Sequence, residues 1–422
     1  MVAADTRPRV LSLGATFRLG WRNLARNRRR TWITASTIAI SVLLLQFVMA
    51  IMVGLEHQSF DNLINFQTAN AKLYAAGYFA ERTEFPLDRS LADLANVKAV
   101  AEAVPGVAAT TPRLTFQAQV SNGAEQLPAL GVGIDLRGSD SDVFRLPEAI
   151  IAGRYLQAGD DGVLLGTSLA TLFAVGAGDW VTLLTKTREG AFEAKDLPVI
   201  GVIGTGNPLI DRSAIVSLQL AQQLLDMPGQ ATELAVKFGR GSEVATLHRL
   251  AEAVESATGV EVKGWRDVEA DFMALVESKR GGAVVMLSLF LVLAMVGVTN
   301  TVLMAAYERT REIGMLMAMG LRGRGVRSLF LAEGASVGLL GGLVGTLAAL
   351  GVLALLSGGI DFRALYGDVN IGYPVQGRVY PAVEPLRVAV IAVVTALVAA
   401  LASWYPAVRA SRLQPVQALR HV

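Results

Sequence analysis

Between Ala283 and Ala306 the chain runs without a single charged residue. A helix rises about 1.5 Å per residue, so this stretch can cross a hydrocarbon core roughly 30 Å thick. The sequence then turns abruptly charged, at Tyr307-Glu308-Arg309-Thr310-Arg311-Glu312-Ile313-Gly314. Next comes a short apolar piece, Met315-Leu316-Met317-Ala318-Met319, ended by Gly320. A membrane helix that runs straight into a second helical segment at the surface is a joint. It can carry a push from a soluble partner into the membrane.

Three more apolar runs are long enough to cross: Thr31 to Val53, uncharged throughout, about 328–357 and about 386–408. The chain is 52% hydrophobic and 18% charged, below the roughly 25% charged residues of soluble domains. Four membrane helices are therefore expected. Gln46 is the most polar residue of the first run and reads as an interhelical hydrogen-bonding group. Glu333 interrupts the third run near its start and reads as interfacial. The fourth run closes on Trp404-Tyr405-Pro406, an aromatic pair suited to the membrane surface. The first run lies behind Arg28-Arg29-Arg30, is too long for the apolar part of a leader and reads as a retained anchor.

Arginines set the topology. Residues 14–30 form a basic amphipathic segment, with Phe17, Trp21 and Leu24 on one face, suited to the headgroup region. Residues 307–327 and 409–422 are also basic. The loop at 358–385 balances Asp361, Asp368 and Glu384 against Arg363, Arg378 and Arg387. Excess positive charge stays on the cytoplasmic side. This orients both termini inward, in a multi-pass protein of the cytoplasmic (inner) membrane. The large segment 54–281 lies outside. A basic run that abuts a membrane span does not read as a nucleic-acid arm, so no nucleic-acid partner is expected.

The outer segment reads as mixed α/β. A helix followed by a strand occurs over Leu91–Phe116 and again over Val244–Trp265, with strand candidates ahead at Ala71–Ala75 and Glu233–Phe238. Two βαβ-like halves, about 70–120 and 231–266, are expected to pair into one lobe. The segment 126–220, with short strands at Val163–Gly166, Trp180–Thr185 and Leu197–Ile203, reads as an inserted second lobe. The expected fold class is thus membrane α-helical, four transmembrane helices with a large α/β extracytoplasmic domain between the first two. The third span carries Gly334, Gly338, Gly341 and Gly345, spaced for close helix packing.

Chemistry is sparse. No G-x-x-x-x-G-K-[ST] phosphate loop occurs in the sequence. Gly201-Val202-Ile203-Gly204-Thr205-Gly206 lacks the lysine and reads as a strand running into a turn. There are no cysteines, and His57, His248 and His421 are scattered, so a metal site is not expected. No catalytic residue set stands out.

Three stretches carry a family resemblance. Asn300-Thr301-Val302-Leu303-Met304 followed by Glu308-Arg309-Thr310-Arg311-Glu312-Ile313-Gly314 and Met319-Gly320 resembles the signature of MacB/FtsX-type ABC transporter permeases. Asn23 to Thr31 resembles that family's approach to its first span. Pro406-Ala407, Ala410, Leu413, Pro415 and Ala418-Leu419-Arg420 resemble its end. The resemblance implies a permease dimer, with a second subunit identical or homologous, bound to a cytoplasmic ABC ATPase dimer. ATP and Mg would sit on that separate ATPase, with no cofactor in this chain. It implies mechanotransmission, in which ATP-driven closure is relayed to the periplasmic domains. Within the family the chain leans to the LolC/LolE lipoprotein-release group, since MacB carries its ATPase in the same chain. Val262-Lys263-Gly264-Trp265 leading to Phe272, and Asn207-Pro208-Leu209-Ile210-Asp211, also resemble that group. A periplasmic chaperone or adaptor and membrane lipids complete the expected partners.

With the resemblance, Glu308, Arg309, Thr310, Arg311, Glu312, Ile313, Gly314, Met315, Leu316, Met319 and Gly320 form the expected ATPase-coupling segment. The charges would orient it at the membrane surface, and Met315, Leu316 and Met319 would dock on the ATPase. Hydrophobic cargo could enter beside Phe47, Ile51 and Met52. Simple dimer packing there is the alternative. An efflux permease for drugs or peptides, and a signalling permease controlling a cell-wall hydrolase, stay open as functions.

Overall fold

The computed structural model describes residues 28–137, 139–361 and 378–412. The basic segment 14–27, most of the 358–385 loop and the tail from 413 lie outside them. The chain divides into two compact units. One is Met1–Gly54, Glu277–Ile360 and Tyr380–Val422; the other is Leu55–Val276 and Asp361–Val379. Helix α1 (Arg28–Asn62) contributes to both.

The second unit continues with β1 (Ala71–Tyr74), α2 (Leu94–Glu102), β2 (Val107–Ser121), β3 (Gln126–Ile134), α3 (Ser139–Val143), β4 (Ile150–Gly153), β5 (Val163–Gly166) and α4 (Thr167–Phe173). It is completed by β6 (Trp180–Lys186), β7 (Phe192–Ile203), α5 (Pro208–Asp211), β8 (Ser213–Ser217), α6 (Leu218–Leu225), β9 (Glu233–Phe238), α7 (Glu243–Thr258), β10 (Glu261–Gly264) and α8 (Trp265–Val268). Local chemistry places the helix ends. Asp93, Asn207, Ser217 and Ser242 each cap a helix, their side-chain oxygens accepting a backbone N–H of the first turn.

Strands β1, β2, β9 and β10 come from the two βαβ segments and interleave in the order β10-β1-β9-β2, all antiparallel. Helices α2 and α7 cover this sheet, and Leu73, Val97, Ala101, Leu234, Leu250 and Val254 form the core beneath them.

The inserted segment 126–220 is joined to the βαβ halves by β2, which serves both parts. Its first half pairs with β9. Its second half pairs with β3 on one edge and β6 on the other. From β3 the ladder continues through β8, β5 and β7 and returns by β6 to β2, so six strands close into a barrel. Closure removes the free edges that an open sheet would expose. Leu114, Phe116, Val120, Leu165, Leu183 and Val199 fill one face, with α4 and α6 against them. Gly131 lies under Phe116, where a Cβ would meet the ring at 2.3 Å. Strand β7 starts at Phe192 rather than Leu197, since its first residues are largely exposed and leave no apolar alternation to read.

Among the described residues, the first unit holds four helices long and apolar enough to cross a membrane. These are α1, α9 (Ala270–Glu308), α11 (Gly323–Leu355) and the run of α12 (Pro385–Ala402) and α13 (Trp404–Ser411), with α10 (Thr310–Ala318) between the second and third. The fourth run is thus two helices. Pro406 has no N–H to give Ala402, and the Thr299 hydroxyl donates to that carbonyl instead, at 2.9 Å. Ile38, Val302, Phe330, Val337 and Ala399 are among the residues of the common core.

Glycines bring α11 into backbone contact on two sides. A Cβ at Gly338 would stand 2.6 Å from Ala399 Cβ, and one at Gly345 would stand 2.5 Å from the Ala39 carbonyl. Gly334 likewise faces Ser403 and Gly341 faces Ile38. Gln46 donates to Thr346 Oγ1 at 2.9 Å, linking α1 to α11. Helix α9 joins this bundle through Val298, Val302 and Ala306. Earlier in α9, Val284, Val285, Leu289 and Leu293 are exposed.

Candidate functional site

The charged segment after the second apolar helix is built by one break. Arg309 leaves helical geometry at φ −105°, ending α9 and starting α10. Its amide still donates to Ala305 O, and its carbonyl accepts from Ile313 N, so the two helices meet without a loop. The Thr310 hydroxyl donates to Tyr307 O at 2.8 Å and Ala306 O at 3.2 Å. Gly320, at φ +96°, turns the chain out of α10 toward Arg322 and α11.

Helix α10 has two faces. Ile313 and Gly314 point inward, Ile313 joining the core of Val326, Phe330 and Ala410. Met315 is 46% exposed, Leu316 37% and Met319 77%. The short helix thus keeps three apolar side chains in the open. Glu308, Arg311 and Gly320 are exposed as well, and Thr310 and Glu312 are partly so.

Arg309, one of the charges expected to orient the segment at the membrane surface, is turned into the protein. It is 8% exposed, and its Nη1 lies 3.6 Å from Oε2 of Glu333 on α11. Glu333, expected at an interface, is 5% exposed. The Arg309 guanidinium is thus buried against α11, which sequence alone does not show. Its Nε and Nη2 are buried without a hydrogen-bond partner. Helix α13 closes the same region. Arg409 stands 5.7 Å over the Tyr307 ring and donates to the Tyr405 hydroxyl at 3.3 Å. The joint is thus held by α9, α11 and α13 together, while the outer face of α10 is left open.

Phe47, Ile51 and Met52 are half-buried on α1. The small cavity beside α1 opens on another face, among Gln46, Met49, Val53, Leu353, Arg387 and Ile391. A second groove, of about 250 Å³, is apolar and runs between α1 and α11 past Trp32, Ala39, Ile40 and Val344. Sequence reasoning missed both, since each needs two helices in register. The Gly201–Gly206 stretch ends β7 in a turn that Asp211 pins, its Oδ1 accepting from Thr205 N at 2.7 Å.

Residues 31–254 match the model of the MacB-like periplasmic core domain, and residues 284–415 match that of the FtsX-like permease C-terminal region. The chain is 26% identical over 412 residues to the lipoprotein-releasing system transmembrane protein LolC of Neisseria meningitidis serogroup B, covering 93% of this chain and 94% of that protein. It is 24% identical over 429 residues to the macrolide export ATP-binding/permease protein MacB of Hahella chejuensis, covering 96% of this chain and 59% of that one. Among solved structures, the periplasmic region of MacB from Actinobacillus actinomycetemcomitans aligns with a TM-score of 0.37 at 15% identity, over 51% of this chain and 97% of that one. Matched along both its α/β and its helical parts, the chain belongs to the MacB/FtsX family of ABC transporter permeases.

Proposed function

We propose that the chain is the permease subunit of an ABC transporter that relays cytoplasmic ATP hydrolysis to its α/β domain by mechanotransmission. A separate ATPase dimer would bind at α10, and ATP and Mg would be held there. A second permease subunit, identical or homologous, would complete the complex. The positive residues around α10 support a cytoplasmic position for it, which would put the α/β domain in the periplasm, between the first and second spans. The observation that carries this reading is the two-faced α10, with Met315, Leu316 and Met319 exposed and Ile313 and Arg309 anchored. A stroke received on the open face is passed through Arg309 to α9 and α11 at once.

The cargo we propose is a lipoprotein or another hydrophobic molecule taken from the inner membrane, as the similarity to LolC over nearly the whole of both chains supports. Phe47, Ile51 and Met52 remain the proposed place of access, and a periplasmic chaperone or adaptor the acceptor.

The test is replacement of Met315 and Leu316 by Asp, with the complex reconstituted in lipid. Transport is expected to fall at least tenfold while the permease still inserts and the ATPase still hydrolyses ATP. Wild-type coupling in that variant would overturn the assignment of α10. Purification of the tagged chain in mild detergent tests the partners. A Walker-A ATPase must accompany it. A second permease and triacylated lipoproteins support lipoprotein release, whereas an outer-membrane channel or adaptor points to export of drugs or peptides.

A further inference from the structure

One segment of the α/β unit departs from ordinary backbone geometry. After α1, residues Leu63–Thr68 widen into a π turn, closed by Ala69 N donating to Ile64 O at 3.0 Å. Such turns recur at functional positions. Ala69 then takes φ 55° and ψ −160°, a conformation that glycine adopts and alanine resists, at 1% exposure. A strained residue persists only where its surroundings hold it, and here they hold it on every side.

The Asn65 carbonyl accepts from Arg145 N at 2.9 Å. Asn70 donates its amide to Val236 O at 3.1 Å, accepts from Trp265 N at 3.1 Å, and takes Phe238 N on its side chain at 2.9 Å. Between them, Gln67 makes a polar chain. Its Nε2 donates to Glu269 Oε1 at 2.7 Å, and its Oε1 accepts from Asn207 Nδ2. Asn207 is 3% exposed, caps α5 through Leu209 N, and donates its amide to Thr205 Oγ1 at 3.1 Å. Glu269 immediately precedes α9. Phe60, on the last turns of α1, packs at 5.2 Å from Trp265 and 6.2 Å from Phe272, ring centre to ring centre.

Three distant parts of the chain therefore meet at Gln67: the end of α1, the start of α9 and the strand-to-helix turn between β7 and α5 of the barrel. We infer that Gln67, Asn207 and Glu269, with the strained Ala69, form the joint through which movement of the two long helices enters the barrel. These are positioning residues, and the inference rests on the mechanotransmission reading above. A helix end tied only by packing could slide. One tied by a polar chain to a barrel strand must carry the barrel with it. The strain at Ala69 gives the joint a second arrangement to relax into.

The chain has no cysteine, so a Trp180→Cys label on the exposed end of β6 is unique. The labelled permease, reconstituted with its ATPase in liposomes, is expected to change dye emission on addition of ATP. Ala69→Gly removes the strain and leaves every hydrogen bond in place. It is expected to melt no lower than the parent, to keep ATP hydrolysis, and to lose at least half of the dye response. Gln67→Leu cuts the polar chain and is expected to give the same loss. A joint that only supports the fold predicts an unchanged or larger response in Ala69→Gly, and that result overturns the inference even if Gln67→Leu fails to fold. The two readings fail separately. No ATP response in the parent sinks mechanotransmission. A response abolished by Met315→Asp with Leu316→Asp but untouched by Ala69→Gly sinks only the joint.

Discussion

Two buried arginine–carboxylate pairs in this protein are built to different standards. In the α/β unit, Arg113 meets Asp140 through Nε at 2.9 Å and Nη2 at 3.2 Å, and its guanidinium lies 3.3 Å over the Phe144 ring. The Tyr155 hydroxyl adds a contact to Asp140 at 3.4 Å. In the helical unit, Arg309 meets Glu333 at 3.6 Å, with two guanidinium nitrogens buried and unpartnered. A forked, stacked pair has one geometry and fixes it. A single long contact permits several. The α/β unit thus locks its buried charge, whereas in the helical unit the Arg309 guanidinium keeps two of its nitrogens without a partner.

The sharpest way to break the comparison is to remove one member of each pair. Asp140→Ala strands a buried guanidinium in a packed core and is expected to cost about 3–5 kcal/mol. Denaturant unfolding of the purified protein, followed through its β-sheet circular dichroism, reads the loss. Glu333→Ala is expected to cost less, about 1–3 kcal/mol, because Arg309 already lacks part of its hydrogen bonding. The apolar double variant Arg309→Met with Glu333→Leu then discriminates roles. Well-packed replacement of a buried pair is often neutral in stability. Stability is expected to return to within about 1 kcal/mol of wild type, while transport per ATP stays low. Recovery of transport along with stability would show that the pair only supports the fold.

The membrane helices were legible because hydrocarbon tolerates no alternative: long uncharged runs between arginines leave one architecture. The glycine spacing on α11 was legible for a similar reason, since Gly338 and Gly345 recur where backbones must touch. Barrel closure was not legible. It depends on β2 pairing with β6 some sixty residues away, a long-range match that local pattern does not encode. At the candidate site, the exposed methionines followed from a motif, but the inward turn of Arg309 did not, because a charge in a charged run reads as surface. Gln67 and Glu269 carried no signal at all, being single polar residues in unremarkable sequence. Ala69 hid its strain by being alanine where the backbone suits glycine.

A third prediction tests how far the helical unit tolerates change away from its charged joint. Gly345→Ala puts a methyl against the Ala39 backbone, its Cα at 2.9 Å, where no side chain can yield. It is expected to cost about 1–3 kcal/mol by overpacking. Gly351→Ala, six residues on in the same helix, meets nothing within 4 Å. It is expected to be neutral or to stabilise by about 0.5–1 kcal/mol through the loss of glycine's freedom. Melting of the two variants in detergent gives the difference directly, and equal effects would mean that α1 and α11 do not pack through this glycine.

The smallest expected effect lies in the α/β unit, and it tests whether that unit's polar groups are all as settled as Arg113. Burial holds the Glu269 carboxyl above its ordinary range, with Lys72 and Arg82 drawing it back down and Asp271 adding a smaller upward push. A carboxyl that binds its proton more tightly when folded stabilises the protein fully below its unfolded pKa, about 4.3, and loses that contribution as pH rises through the folded value. Glu269→Gln keeps an acceptor for Gln67 and removes the titration. Wild type is therefore expected to lose melting temperature relative to Glu269→Gln as pH is raised from about 4 toward neutrality, the two converging at the acid end. Parallel profiles would mean that Glu269 is ionised in the fold at no cost, and that the polar chain at Gln67 is as firmly settled as the Arg113 pair.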